Sequence, residues 1–341
     1  MLGRVPAVRA LVLVPLLAGL MSCSSDEGDA PAREPAEQAE SAGNPLVGQP
    51  LYVDPQNPAA LQAARWRSQG RDRDAAAMAK LARRPTAIWL ADGSEVTSRV
   101  REVTQKATRG GRTAVLVAYN VPRRDCGSYS AGGSGSAAAY RAWVRAFARG
   151  IGPRRATVIV EPDAIPQAVL DDCLSPEAKA QRYALLGDAV RTLAALPNVA
   201  VYIDVGNPGW VRPVSLLVGP LRQAGIAAAD GFALNVSNFY RTRTAVEYGR
   251  ALSRRLGGAH FVIDTSRNGN GPSLQDDAGG PKWCNPPGRA IGRSPDTITG
   301  EPKVDAYLWV KQPGASDGSC RRGAPPAGHW WPEYALQLVR N

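Results

Sequence analysis

Acidic side chains recur where short apolar runs of this chain give way to polar or glycine- and proline-rich segments. Acids placed together suit the cleavage of acetals and glycosides, because a protonated acid donates to the leaving oxygen while an ionised group handles the attacking water. The chain contains two His, which excludes a His-rich metal site, and we expect neither a metal nor a cofactor. The acids in these segments are Asp125, Glu161, Asp163, Asp204, Asp264 and Asp317.

Asp163 is the candidate for the protonated acid. It follows an apolar run at 157–160 and lies between Pro162 and the apolar pair Ala164 and Ile165. A partly apolar environment raises the pKa of a carboxyl group and keeps it protonated, and a neighbouring acid such as Asp125 would raise it further. One Asp at a strand end is more often a helix cap or a turn residue, so the hypothesis depends on several strand ends together.

Three tryptophans, Trp89, Trp210 and Trp283, lie in or near the same polar segments. A flat indole ring stacks on the apolar face of a pyranose, so an exposed Trp in a cleft indicates a sugar ligand. Trp66 and Trp143 are interpreted instead as core residues.

The elements that must position these side chains alternate along residues 45–341. Because strands and helices alternate and the strands are continuously apolar, we expect a parallel sheet covered on both faces. A β/α barrel, whose active site lies at the carboxyl ends of the strands, fits this length best, and an open doubly wound sheet is the alternative. Strands are predicted at 114–119, 157–160, 199–204, 231–236, 260–264 and 306–310, and helices at 137–149, 176–196, 214–224 and 244–256.

The first 22 residues are predicted to be a signal peptide, because Arg4 and Arg9 precede an apolar run at 10–21 that is too short to span a bilayer. The run ends at Cys23 in a pattern that resembles a bacterial lipoprotein signal, in which the chain is cut before the Cys and its thiol is lipidated; an ordinary signal peptide is the alternative. Residues 23–44 form an acidic segment without aromatic or branched aliphatic residues, which predicts a disordered tether. We expect export, followed by lipid anchoring at the outer face of the cell membrane or secretion.

With Cys23 set aside, four cysteines remain, and an exported chain is expected to pair them. Three connectivities are possible. Pairing in sequence order, Cys126 with Cys173 and Cys284 with Cys320, closes two local loops and is the preferred pattern.

Basic residues outnumber acidic ones by 41 to 30, for a net charge of +11, and most of them are Arg. We interpret this excess as a solvated Arg-rich surface and expect no nucleic-acid partner. Contact between a tethered basic domain and anionic polymers of the cell surface is the less favoured interpretation. A monomer is expected.

The polar segments, taken in order, resemble glycoside hydrolase family 6, the inverting β-1,4-glucanases or cellulases. The segments are YNVPRRDCG, VIVEPDAI, YIDVGNPGW, NVSNF, DTSRNGNGP, KWCNPPGRAIG and LWVKQPGASDG, and NPLVGQPLYVDP and PTAIWL also match. The resemblance covers residues 45–341 and implies a distorted, TIM-like barrel of seven parallel β-strands. It also implies the same pairing of the cysteines and a β-glucan polysaccharide or oligosaccharide as substrate.

Carried over by motif, the resemblance implies that Asp163 is the general acid. Asp125 would raise the pKa of that acid and organise the attacking water, as an indirect base. Asp204 would stabilise the positively charged transition state or help to bind substrate, and Asp317 would hold an ion-paired or water-linked position at the edge of the site. Tyr119 would lie under the distorted sugar. The other implied sugar-binding positions are Trp89, Asn207, Trp210, Asn235, Trp283 and Lys311.

Two positions depart from the family pattern. Asn207, followed by Pro208, stands where the family usually has His, and Ala315 stands where it usually has Glu. Because the acids are retained, we expect hydrolysis with an altered preference for sugar subsites. The domain is short compared with the tunnel-forming members of the family it resembles, which carry long loops over the cleft, so we expect an open cleft and endo cleavage. The alternative is a lipoprotein on a degenerate glucanase fold that binds glycan without hydrolysing it.

Overall fold

The computed structural model describes residues 43–91, 93–276 and 279–341. The predicted signal peptide, Cys23 and nearly all of the predicted tether lie outside the described residues. Asn44, the last residue of the predicted tether, belongs to the folded domain, because its Nδ2–H donates to the Asp305 carbonyl at 3.1 Å and its Oδ1 accepts the Leu46 N–H at 2.8 Å. Among the described residues, no helix is long and apolar enough to span a membrane.

Seven parallel strands form one sheet that curls into a half-barrel. Strand order follows chain order, whereas a doubly wound sheet reverses its order at a switch point, so the expected β/α barrel is confirmed and the open alternative is wrong. The strands are β1 Ile88–Leu90, β2 Ala114–Ala118, β3 Ala156–Val160, β4 Val199–Asp204, β5 Gly231–Leu234, β6 His260–Asp264 and β7 Val304–Leu308.

The two edges of the sheet meet where the residues that follow β7 lie beside β1. The Ala87 N–H donates to the Trp309 carbonyl at 2.9 Å, and the Trp89 indole N–H donates to the Val310 carbonyl at 2.8 Å. These bonds join the first and last strands of the half-barrel, which brings the segments that follow them to the same mouth.

Helices lie between the strands and cover the outside of the sheet. Two of the longer ones begin at serines whose hydroxyls accept backbone N–H bonds, Ser136 from Ala139 and Ser175 from Ala178. The helices are α1 Pro58–Ser68, α2 Asp72–Ala82, α3 Val96–Arg109, α4 Ala137–Ile151, α5 Ala164–Leu170, α6 Pro176–Ala194, α7 Val218–Gln223, α8 Thr242–Arg255 and α9 Pro332–Arg340.

Side chains alternate between the two faces of the strands, and both faces are buried. Val117, Ile159 and Tyr202 belong to a cluster that fills the inside of the half-barrel. Leu116 and Val158, one residue earlier along their strands, pack against the outer helices. The continuous apolar runs of the sequence are explained by this double burial.

Candidate active site

The carboxyl ends of neighbouring strands bring Asp163 and Asp204 into contact. Asp204 is the last residue of β4 and is completely buried. Its Oδ2 accepts the backbone N–H of Asp163 at 2.9 Å and that of Gly206 at 3.0 Å. Asp163, three residues beyond β3, has a left-handed backbone with φ of 71° and is half-buried. Two of the acids in the polar segments after the strands are therefore neighbours in the structure.

The environment of Asp163 favours the protonated form of its carboxyl group. Burial, together with repulsion from Asp204 and Asp125, raises the pKa of Asp163 well above its usual value. Burial also raises the pKa of Asp204 to about 7, although the backbone N–H groups that donate to its carboxylate lower that pKa. Those bonds stabilise the ionised form of Asp204, and no comparable bonds from the described backbone oppose the rise in the pKa of Asp163.

Asp125 lies in the loop that follows β2. Its Oδ2 accepts the Ser130 N–H at 2.7 Å and its Oδ1 accepts the Gln167 amide at 3.1 Å. Burial raises the pKa of Asp125, and these two bonds oppose the rise. The next residue, Cys126, forms a disulfide with Cys173, so the loop that carries Asp125 is tied to the segment after α5.

Tyr119 follows β2 directly and packs against two other side chains. Its ring meets that of Trp89 edge to face, with 5.1 Å between centroids, and the Arg124 guanidinium lies 4.8 Å from its centroid. Burial and the negative charges of Asp163 and Asp125 raise the pKa of Tyr119, so the phenol stays neutral beside them.

Asp317 forms the ionised part of the site. Arg267, which is completely buried, donates to both of its carboxylate oxygens at 2.9 Å, and the Lys311 ammonium lies 3.2 Å from Oδ1. Burial opposes ionisation, but these two cations hold the pKa of Asp317 below its usual value. The backbone N–H of Asn285 adds a bond of 2.9 Å, and Asp317 donates its own N–H to the Asn285 side chain at 2.8 Å.

The second disulfide, Cys284–Cys320, closes the loops around Asp317, because Cys284 precedes Asn285 and Cys320 lies three residues after Asp317. The predicted pairing of the four cysteines is confirmed. Each disulfide therefore stabilises a loop that carries one of the predicted catalytic acids.

Two of the six acids in the polar segments organise the backbone. The Glu161 carboxylate accepts the Asn120 N–H at 2.9 Å and the Val121 N–H at 3.0 Å. Asp264 accepts the N–H groups of Ser237 and Lys311, each at 2.9 Å. Both acids are almost completely buried, and Asp264 fixes the start of the segment from which Lys311 reaches Asp317.

The aromatic candidates lie at different depths. Trp89 is half-buried beside Tyr119, and Trp210 is half-buried against the core. Trp283 is 43% exposed, and its ring lies 5.9 Å from that of Tyr129, which is 46% exposed. Tyr129 lies on the Asp125 loop and Trp283 precedes Cys284, so the two disulfide-bonded regions touch through this pair.

The side chains of Asn207 and Asn235 form hydrogen bonds mainly with nearby backbone groups. The Oδ1 of Asn207 accepts the Gly209 N–H at 3.0 Å, which forms a tight turn after β4. Asn235 is completely buried, and its amide donates to the carbonyls of Asp264 and Tyr240 and accepts the Tyr240 N–H. This placement of Asn235 favours a role in holding the loop after β5 over contact with a sugar.

Sequence reasoning missed Arg267, Asn285 and Tyr129. The signal for Arg267 was present, because it is a cation inside the polar segment that follows β6. A buried Arg requires an anionic partner, but its partner Asp317 lies 50 residues further along the chain.

Comparison with known proteins gives consistent matches over the described domain. The model of the family described as glycosyl hydrolases family 6 matches residues 46–341. Endoglucanase A of Cellulomonas fimi is 44% identical over 296 residues, which are 85% of this chain and 61% of that protein. Endoglucanase A of Thermobispora bispora is 40% identical over 300 residues, which are 86% of this chain and 62% of that protein. The chain spans about three fifths of the length of these two relatives.

A solved structure is similar over the same region. It is the endoglucanase Cel6 from Mycobacterium tuberculosis in complex with methyl-cellobiosyl-4-deoxy-4-thio-β-D-cellobioside, with a TM-score of 0.81 and 43% sequence identity. The similarity covers 87% of this chain and 98% of that one. The curled parallel sheet, the acids at its carboxyl edge and the match over residues 46–341 agree, and the chain belongs to family 6 of the glycosyl hydrolases.

Proposed function

We propose that this protein hydrolyses β-1,4-glucosidic bonds of cellulose or a related β-glucan with inversion of configuration. The observation that carries the proposal is the placement of Asp163 against Asp204, where burial and two neighbouring acids favour the protonated form of its carboxyl group. A protonated carboxyl group can donate its proton to the leaving glycosidic oxygen.

The remaining acids have separate roles in this mechanism. Asp125, held by Ser130 and Gln167, orders the attacking water and takes up its proton indirectly. Asp204, as a buried carboxylate bonded to the backbone of Asp163, stabilises the positive charge that develops on the reacting sugar. Asp317, paired with Arg267 and Lys311, fixes the Lys311 ammonium at the edge of the site, where it can donate to a sugar hydroxyl.

The relatives named endoglucanase support cleavage within a glucan chain. Trp89, Trp210 and Trp283 provide rings for pyranose stacking, and Trp283 is exposed enough to meet a polymer. Asn207 and Ala315, which differ from the residues implied by the family resemblance, alter the subsites near Asp204 and Lys311 and thereby the preferred glucan.

We also propose that the protein is exported and held at the outer face of the cell membrane through a lipid on Cys23, and that it acts as a monomer. Two disulfides support an oxidising compartment outside the cytoplasm. Cell fractionation of wild type and Cys23→Ala tests the anchor: the variant is expected in the soluble fraction, and its continued tight association with membranes would reject lipidation.

The activity is tested by product release from carboxymethyl cellulose, mixed-linkage glucan and cello-oligosaccharides, with anomeric configuration followed by NMR. Wild type should release the α-anomer, and Asp163→Asn should release almost none. Asp172→Asn is the matched control, because Asp172 is exposed and lies outside the site. Sugar binding by the wild type without any release would instead support a glycan-binding protein without catalytic activity.

A further inference from the structure

A recess of about 220 Å³ lies on the outer layer of the domain, between α4 and α6. Its floor is formed by the buried residues Tyr140, Val144 and Ala189. Both helices lie outside the sheet, so this recess is separate from the acids at the carboxyl ends of the strands. Nothing in the proposed mechanism uses it.

The recess has an excess of positive charge. Arg141, Arg145 and Arg191 line it, together with a single acid, Asp188. Asp188 accepts the Arg141 Nε–H at 2.5 Å through one oxygen and an Arg191 Nη2–H at 2.6 Å through the other. Burial opposes ionisation of Asp188, but the hydrogen bonds and charges of the two arginines lower its pKa, so it stays ionised between them.

The arginines keep unused hydrogen-bonding capacity at the recess. A guanidinium has five N–H donors, and Arg141 and Arg191 each direct one of them to Asp188. Arg145 forms no hydrogen bond or ion pair with any other described residue, although it lies one helical turn from Arg141. Like charges at this spacing repel each other, and a bound anion would relieve the repulsion.

We propose that Arg141, Arg145 and Arg191 form a binding site for a phosphate group. Guanidinium groups match the oxygen geometry of phosphate and bind it through paired hydrogen bonds. Three arginines against one acid leave two uncompensated positive charges, which suit a phosphate dianion better than a carboxylate with a single charge. The volume of about 220 Å³ also admits the carbon skeleton of a phosphate ester or of a phosphodiester polymer.

The site is tested by isothermal titration of the purified protein with inorganic phosphate and with sodium chloride at matched ionic strength. Saturable heat with phosphate and none with chloride is expected for wild type. Arg145→Gln should weaken phosphate binding at least fivefold, and Arg149→Gln should leave it unchanged. Arg149 is the matched control, because it is an exposed Arg on the same helix that does not line the recess. Arg145 has no partner within the described protein, so its replacement should leave the fold and glucan hydrolysis unchanged.

The source of the phosphate group is distinguished by a parallel titration with a glycerol phosphate oligomer. Tighter binding of the oligomer than of inorganic phosphate assigns the site to a phosphodiester polymer, and equal or weaker binding assigns it to small phosphates. The proposal is overturned if phosphate and chloride give the same response. It is also overturned if Arg145→Gln binds phosphate as tightly as wild type does, or no more weakly than Arg149→Gln does.

Discussion

The backbone N–H of Asp163 lies 2.9 Å from the Oδ2 of Asp204, so the proposed acid is positioned by the same carboxylate that repels its negative charge. The position of Asp163 and part of the rise in its pKa thus depend on one neighbour. An uncharged side chain that still accepts the Asp163 N–H would keep Asp163 in position but would no longer raise its pKa by repulsion.

Asp204→Asn makes that separation. The amide oxygen can still accept the Asp163 N–H, but the repulsion is lost, so the pKa of Asp163 should fall. Since the proposed acid must be protonated, the alkaline limb of the kcat/KM profile should move to lower pH by about one unit. An alkaline limb at the same pH as in wild type would contradict the coupling, and Asp72→Asn, with an exposed Asp at the start of α2, should leave the profile unchanged.

Asp163→Asn should affect substrates according to their leaving group. Hydrolysis of cello-oligosaccharides, whose leaving oxygen needs a proton, should fall by about 10²- to 10⁴-fold. A dinitrophenyl cellobioside, whose leaving group departs without protonation, should lose much less. Parallel rate measurements on the two substrates check this difference, and an equal loss on both would assign Asp163 a role other than proton donation.

Asp317→Asn should lower the free energy of unfolding at neutral pH by about 3–5 kcal/mol, because Arg267 and Lys311 lose their ionised partner. The pKa of Asp317 is lower in the folded than in the unfolded state. Its stabilisation is therefore complete above the unfolded pKa of about 3.9 and is lost as the pH falls through the folded pKa. Urea unfolding of both proteins should show that the difference in their free energies of unfolding becomes smaller from pH 7 to pH 2. A difference that is constant with pH would refute the ion pair.

Removal of the Cys126–Cys173 disulfide should lower the hydrolysis rate even at temperatures where the variant remains folded. The double variant Cys126→Ser, Cys173→Ser should lose about 2–4 kcal/mol of stability and, at temperatures where it remains folded, should lose activity because the Asp125 loop is released. Thermal melts and hydrolysis rates measured on the same samples separate the two effects. Full activity of the folded variant would show that the loop keeps its shape without the disulfide.

The barrel was predictable because its strands are buried on both faces and appear as continuous apolar runs. Six of the seven strands follow from such runs, but β1, Ile88–Leu90, has three residues and was indicated only by the family resemblance. The helix predicted at 214–224 is divided in the structure into a 3₁₀ turn, Val214–Leu217, and α7, Val218–Gln223. Gly219 and Pro220 fall in the first turn of α7, where Pro is tolerated.

The candidate site was predictable where an acid lies at the end of a strand or within a few residues of it, as with Asp204 and Asp163. It was not predictable where the contact joins distant segments, as between Arg267 and Asp317. Asn235 shows a third case: a polar residue after a strand fits a ligand-binding role equally well on sequence, and its complete burial is visible only in the packed structure.

The contact between Asn44 and Asp305 fixes the point at which the chain enters the folded domain relative to the acids. Asp305 is the second residue of β7, so the chain enters the domain at the amino ends of the strands, and a strand of five residues spans about 16 Å. The acids lie at the opposite ends. If the segment before Asn44 is fixed to a surface, the cleft therefore opens away from that surface, and a long glucan can reach it from the surroundings without passing between the domain and its support.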